Sequence, residues 1–208
     1  MRSDKSRLSA GSERGGAVRQ RVIDAAERLL RNGRADFSMR DLAAEAGVSF
    51  ATPFNQFGSK AAIMHALSER RIDTMAQRYA EASPPPDAAG RVLLAIDMAV
   101  AVMLEEPGVN RAVMGWIGTS GAAPAKALQH STALWTLALS AGEGLPEGAR
   151  ERALSCLPGQ LAIAFRGALS FWTAGELPDE ALGANARDIA ITLLRGFTEL
   201  QLSSDPPS

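Results

Sequence analysis

Between residues 38 and 60 the chain sets small, polar and cationic side chains at close intervals. They are Ser38, Arg40, Ser49, Ala51, Thr52, Asn55, Gln56 and Lys60, with Phe50 and Phe54 among them. The set holds no nucleophile beside a base, no metal-ligand cluster and no glycine-rich phosphate loop, so it does not describe catalysis. Hydroxyls, carboxamides and cationic groups are instead the donors that bind phosphate oxygens and base edges. Reactive groups elsewhere are sparse. A single thiol, Cys156, excludes an internal disulfide framework. With only His65 and His130 beside it, a structural zinc site is not expected. Cys156 reads as a small buried hydrophobe, with Arg152 one turn away as its nearest cation. Neither histidine sits in a recognisable motif. The expectation is no cofactor, no metal and no enzyme.

The elements that must position residues 38–60 are legible around them. Ser38-Met39-Arg40-Asp41 resembles a capping box with Asp in place of the longer Glu, and so opens a helix. Leu42, Ala43 and Ala46 give that helix an inward face, and Gly47 stops it in the left-handed conformation that glycine adopts cheaply. Val48 is expected buried in the turn, and Ser49 caps a short helix over about 50–56. Pro53 falls about four residues after Ser49, where it removes only the first helical hydrogen bond. Ala43 is small where the two helices approach each other. Two short helices joined by a tight glycine turn describe a helix-turn-helix, whose second helix offers its N-terminal side chains to the major groove. A preceding helix over 17–32, with Val18, Val22, Ala25, Ala26, Leu29 and Leu30 on one face, holds the pair. Ser59 caps a long helix over 60–82.

Charge agrees with this division. Residues 1–60 carry 11 Lys and Arg against 7 Asp and Glu, whereas residues 61–208 carry 11 against 16. Residues 1–16 read as a flexible basic arm. Arg2, Lys5, Arg7 and Arg14, with Arg19 and Arg21 beyond it, either reach phosphates or an adjacent groove or are solvated charge. Three prolines at 84–86 break the chain after the long helix. Further helices follow over 88–105, 109–120, 124–141, 147–175 and 179–202, with Pro158-Gly159 expected to kink or split the fourth. Residues 203–208 are expected to fray. With 208 residues, 46% of them hydrophobic, the chain can bury a real core. No strand pattern is visible, so the fold class is all-α. The longest apolar run, 92–104, is interrupted by Asp97 and is shorter than the ~20 residues of a membrane span. With no secretory leader visible, a cytoplasmic protein is expected.

Residues 18–67 resemble the DNA-binding head of the TetR/AcrR-type transcriptional regulators. The match is carried by Ala46-Gly47-Val48-Ser49, Thr52, Phe54, Phe57 and then Gly58-Ser59-Lys60 opening a long helix. The resemblance implies that Ser38 and Arg40 touch phosphate. It implies that Phe50, Ala51 and Thr52 face base edges or thymine methyls, and that Phe54, Asn55 and Lys60 hold backbone phosphates. Ser49 and Gln56 complete the implied site. Three positions depart from the family pattern: Pro53 where a leucine-like residue is commoner, Phe54 for tyrosine, and Gln56 for histidine. Phenylalanine lacks the hydroxyl that would bond phosphate. The family also implies a helical body whose last two helices pair with a second subunit, and residues 171–180 resemble the link between them.

In the body, Asp97 and Arg166 lie on apolar helices and need partners. They satisfy each other, reach solvent, or orient a ligand. Met98, Met103, Met114, Trp116, Trp135, Phe165 and Trp172 are core, or line an internal pocket between helices together with Asp97 and Arg166. Leu161, Ala168 and Leu169 form one apolar stripe, and Ile189, Leu193, Phe197 and Leu200 another. These stripes cover their own body or make half of a four-helix bundle across a two-fold axis. The expected domains are the arm (1–16), a head (17–60) with its connecting helix (60–82), a ligand-binding and dimerisation body (83–202), and the tail. The expected function is a ligand-responsive repressor that binds a palindromic operator in double-stranded DNA as a homodimer, with a small, mostly apolar effector and no membrane partner. The alternatives are a helical protein-interaction module and a helical enzyme.

Overall fold

The computed structural model describes residues 3–117 and 127–197, with side chains described for 15–117 and 128–197. Among the described residues all regular structure is helical. The helices are α1 (Ser3–Arg31), α2 (Met39–Ala46), α3 (Ala51–Phe57), α4 (Lys60–Glu81), α5 (Ala88–Glu105), α6 (Pro107–Ile117), α7 (Ala127–Leu139), α8 (Glu147–Ala174) and α9 (Asp179–Arg195). The described chain divides into two compact units, one from residues 1–68 and 108–124 and one from 69–107 and 125–208. The helix α1 begins at Ser3, where a flexible arm over 1–16 was expected. The side chains of Arg2, Lys5, Arg7 and Arg14 lie outside the described residues.

In the first unit, Val22, Ala25, Ala26 and Leu29 of α1 pack with Leu42 of α2 and with Ile63, Met64 and Leu67 of α4. Their spacing at three and four residues is why they share one face. Phe37, 2% exposed, closes this core below the start of α2. Burying side chains of this size stabilises the unit by about 1.5–3 kcal/mol each. Val109 and Val113 of α6 belong to the same core, with Trp116 packed against it. Trp116, expected as core or pocket lining, packs against this core, and Met114 is buried on the same helix. Their helix completes the core of the first unit, because the 3.6-residue period shows which face is apolar and not which neighbour it covers.

In the second unit α5, α7, α8 and α9 close a ring of contacts, α5 on α7, α7 on α8, α8 on α9 and α9 on α5. Leu157, Leu161, Phe165, Leu169 and Trp172 of α8 are buried in it, as are Leu182, Ala186, Ala190 and Leu194 of α9. The helix α8 runs undivided through Pro158, whose ring is buried. At the start of α5 the Arg91 guanidinium, 7% exposed, joins three segments. It donates to the carbonyls of Ala138 (3.0 Å), Leu139 (3.0 Å) and Pro86 (2.6 Å) and pairs with Glu143. The Ala138 and Leu139 carbonyls lie at the C-terminus of α7, where the helix itself supplies no partner, and Leu139 also accepts from the Gly142 N–H (2.9 Å).

Asp97 is exposed and pairs with Arg187 of α9, its oxygens 2.7 and 2.6 Å from the Arg187 Nη1. Of the alternatives for Asp97, reaching solvent is the one its exposure agrees with, and its partner is Arg187 and not Arg166. The helix α5 has one narrow solvated edge that its sequence, apolar nearly all round, does not disclose. No helix among the described residues is long and apolar enough to cross a membrane.

Candidate nucleic-acid interface

The geometry of α2 and α3 begins with their caps. Ser38 Oγ accepts from the Asp41 backbone N–H (3.2 Å), and the Asp41 carboxylate accepts from the Ser38 N–H at 2.8 Å and hydroxyl at 2.7 Å. These bonds, with Arg34 beside them, hold the Asp41 carboxyl below the usual carboxylate range. The capping box is therefore present with the shorter acid. At the other end Gly47 is left-handed (φ 61°, ψ 42°) and ends α2. Val48 is only partly buried beneath the turn.

The short helix α3 starts at Ala51, with Phe50 at its N-cap and no side-chain cap bond. Ser49, expected as the cap, instead shares a hydrogen bond between its hydroxyl and that of Thr52 (2.8 Å). Pro53 is then the third residue of α3. The first N–H groups of a helix have no intrahelical partner, so proline there removes no helical bond. Its ring is buried, which fixes which side of α3 faces inward. The outward side carries Phe50 (53% exposed), Phe54 (43%), Ala51 and Asn55, with Thr52 and Gln56 partly covered. The Phe50 and Phe54 rings meet edge to face with centroids 5.5 Å apart. The Arg40 guanidinium lies 5.5 Å from the Phe50 ring centre.

Cations rim this surface. Arg19 donates to the Gln56 carbonyl (3.0 Å) and lies 4.1 Å over the Phe57 ring. Arg21 reaches the Gly47 carbonyl at 3.5 Å, and Arg28 pairs with Glu45 at 2.7 Å. Arg19 and Arg21 thus belong to the rim of the helix-turn-helix through α1, which their spacing alone did not reveal. Lys60 is the correction. Its ammonium donates to the carbonyls of Ala35 and Phe37, both at 2.8 Å, and sits over the Phe37 (4.1 Å) and Trp116 (5.1 Å) rings. Burial lowers its pKa. Lys60 ties the loop before α2 to the start of α4 and is not displayed towards phosphate.

Trp135 and Phe165 meet edge to face at 5.7 Å, both buried, and Trp135 Nε1 is buried without a hydrogen-bond partner. Met103 is buried and Met98 partly so. Trp172 is wholly buried, and its Nε1 donates to Asp179 (2.7 Å), fastening the turn between α8 and α9. Burial pushes the Arg166 guanidinium below its ordinary pKa. Leu161, Leu169 and Ala168, expected at a subunit interface, are 1%, 5% and 6% exposed within their own unit. Ile189, Leu193 and Phe197 are partly exposed, and Leu200 lies outside the described residues. The outward apolar residues of α8 are Ile163 (62% exposed) and Phe171 (58%), one turn-face away from the expected stripe. An open groove of about 470 Å³ runs between α8 and α9, bordered by Ala164, Gly167, Phe171, Leu177 and Ile189.

Residues 39–57 thus form a helix-turn-helix within described residues whose regular structure is helical. Residues 22–67 match the family model of the bacterial regulatory proteins of the tetR family. No curated protein matches the chain. Among solved structures, a TetR transcriptional regulator from Rhodococcus sp. RHA1 superposes with a TM-score of 0.68 at 20% identity, over 90% of this chain and 99% of the other. A putative transcriptional regulator from Streptomyces coelicolor A3(2) gives 0.53 at 24% identity, over 86% and 96%. Residues 22–67 thus match a tetR-family regulatory domain, and the chain shares the fold of the solved TetR regulator.

Proposed function

We propose that this protein is a ligand-responsive repressor that binds a palindromic operator as a homodimer. The observation that carries the reading is the outward face of α3, held by the Gly47 turn and the buried Pro53 and rimmed by Arg19, Arg21 and Arg40. Arg40 and Asn55 are exposed donors for phosphate or base edges, whereas the Ser38 hydroxyl and N–H already donate to Asp41. Lys60 drops out of that set. A paired arrangement suits such a face, because two recognition helices read half-sites about 34–36 Å apart. Support for the pairing comes from Ile163, Phe171 and the α8–α9 groove, whose lining is mostly small and apolar with Glu176 and Asn185 among it.

Support for an effector site in the second unit comes from Trp135. A buried indole N–H without an acceptor is costly, and an apolar molecule carrying one acceptor would satisfy it. The route to the DNA face is α4, one unbroken helix. Ile63, Met64 and Leu67 lie in the core of the first unit, while Met75 and Tyr79 are buried further along. Arg78 pairs with Glu105 in the second unit, one contact at 2.9 Å. An effector shifts the equilibrium only through different affinity for the two states.

The test is selection of bound duplexes from random DNA, followed by titration of a ligand panel. A two-fold symmetric consensus, affinity falling steeply with salt and release by one ligand class are expected. Binding that stays constant across a broad apolar panel would sink the switch, and indifference to every duplex at low salt would sink the reading.

A further inference from the structure

We infer that Arg19 of α1 is a positioning residue for α3: it governs which bases that helix reads without itself touching DNA. This inference rests on the DNA-binding reading above and names a determinant of specificity that lies outside α3. With seven residues, α3 is too short to be stable in isolation. It also lacks the devices by which a helix secures its own ends. No side chain caps its N-terminus, its first turn holds no acidic residue and its last turn holds no basic one. Its orientation must therefore come from its neighbours.

Arg19 supplies the cation that the last turn of α3 lacks. Its Nη1 donates to the Gln56 carbonyl (3.0 Å), in the turn where the helix itself supplies no partner. The same guanidinium covers the ring of the next residue, Phe57, at 4.1 Å. Phe57 in turn packs against the core of the first unit. One planar group thus holds two adjacent residues of α3. The pattern recurs on α2, where Arg28 donates to the Glu45 carbonyl (3.2 Å) and pairs with the Glu45 carboxylate (2.7 Å). The helix α1 therefore grips the C-terminal ends of both helices of the motif, and Arg19 is its grip on α3. A rotation of about 10° about the α3 axis moves its outward side chains by about 1 Å, since a helix with its side chains has a radius of ~5–6 Å. A base-edge hydrogen bond does not survive such a shift, whereas attraction to phosphates, which carries no sequence information, does. Loss of Arg19 should erode discrimination between sequences before it erodes binding.

The experiment compares the wild type, Arg19→Leu and Arg19→Lys on the selected duplex and on a random-sequence duplex of equal length, across a salt series, with melting curves alongside. Arg19→Leu removes the donor, and Arg19→Lys keeps the charge without the planar group that bonds Gln56 while covering Phe57. Expected in both variants is a loss of about tenfold for the selected duplex, the scale of one hydrogen bond from a charged group. Arg19→Lys should bind the random duplex with wild-type affinity and salt slope. If Arg19→Leu is too unstable to assay, Arg19→Lys carries the test. A direct phosphate ligand gives a different result: Arg19→Lys close to wild type on both duplexes, and Arg19→Leu weaker on both alike, with a salt slope shallower by about 0.9. That result overturns the proposal and leaves the DNA-binding reading intact. So does wild-type discrimination in both variants, or equal loss on both duplexes in step with a lowered melting transition. Absence of wild-type binding to any duplex overturns both.

Discussion

Lys60 shows how one side chain changes meaning between sequence and structure. At the start of a long helix beside a helix-turn-helix it resembles a phosphate ligand, yet its ammonium is committed to the Ala35 and Phe37 carbonyls and to two aromatic faces. Lys60→Met should therefore leave the salt dependence of DNA binding nearly unchanged and lower stability by about 1–3 kcal/mol, since two carbonyls lose a charged donor. Melting curves beside a salt titration separate the outcomes, and a reduced salt slope without loss of stability would restore the phosphate role. Asp41 makes a prediction of the opposite kind. Its carboxyl is held below its ordinary value by the Ser38 hydroxyl and N–H and then by Arg34. A depressed carboxylate stabilises the fold above the unfolded pKa, near 4, and loses that contribution as pH falls through the folded value. Asp41→Asn should flatten the acid limb of the stability curve below about pH 4. An unchanged limb would show the capping box carries no charge-dependent stability.

At the scale of elements, turns and caps decide more than propensity. Gly47 has open space around it, so the cost of a side chain there is conformational alone. Gly47→Ala should destabilise the head by about 1–2 kcal/mol, the cost of a left-handed L-residue, and shift the start of α3. Denaturant melts and loss of operator affinity would show it; a neutral effect would mean the turn relaxes. In the second unit the matching element is Arg91, which satisfies carbonyls from α7 and the proline turn. Arg91→Met should cost about 1–3 kcal/mol, because the Ala138 and Pro86 carbonyls lose their charged donor while Leu139 keeps the Gly142 N–H. The capping box, the Gly47 turn and the Asp87 cap, whose side chain accepts from the Gly90 N–H at 2.8 Å, are all legible in the sequence because they depend on neighbours in the chain. The Arg91 junction is not, because Glu143 lies 52 residues away.

For the whole molecule, the open question is what meets the outward faces of α8 and α9. Phe171→Glu places a charge on a 58% exposed ring position bordering their groove. The proposed dimer should then dissociate in sedimentation velocity with helical content unchanged, and operator affinity should fall with it. A dimer that persists would place the interface elsewhere. Of the two readings of the α8 stripe, covering its own body agrees with burial: Leu161 and Leu169 fill their own bundle while Ile163 and Phe171 look out. A helix apolar on more than one side leaves that choice open until its neighbours are known.

The sequence by itself determined most of the helices, the Ser38 and Asp87 caps, the Gly47 turn and the proline break at 84–86, since each follows from local spacing or from proline and glycine geometry. It did not determine the start of α1, the N-cap of α3 or the continuity of α8 through Pro158. Only the tertiary structure decided that α6 packs into the head, that Asp97 answers Arg187, and that Lys60 turns inward. Those outcomes depend on which distant segments meet, and a partner far along the chain leaves no mark on the residues beside it.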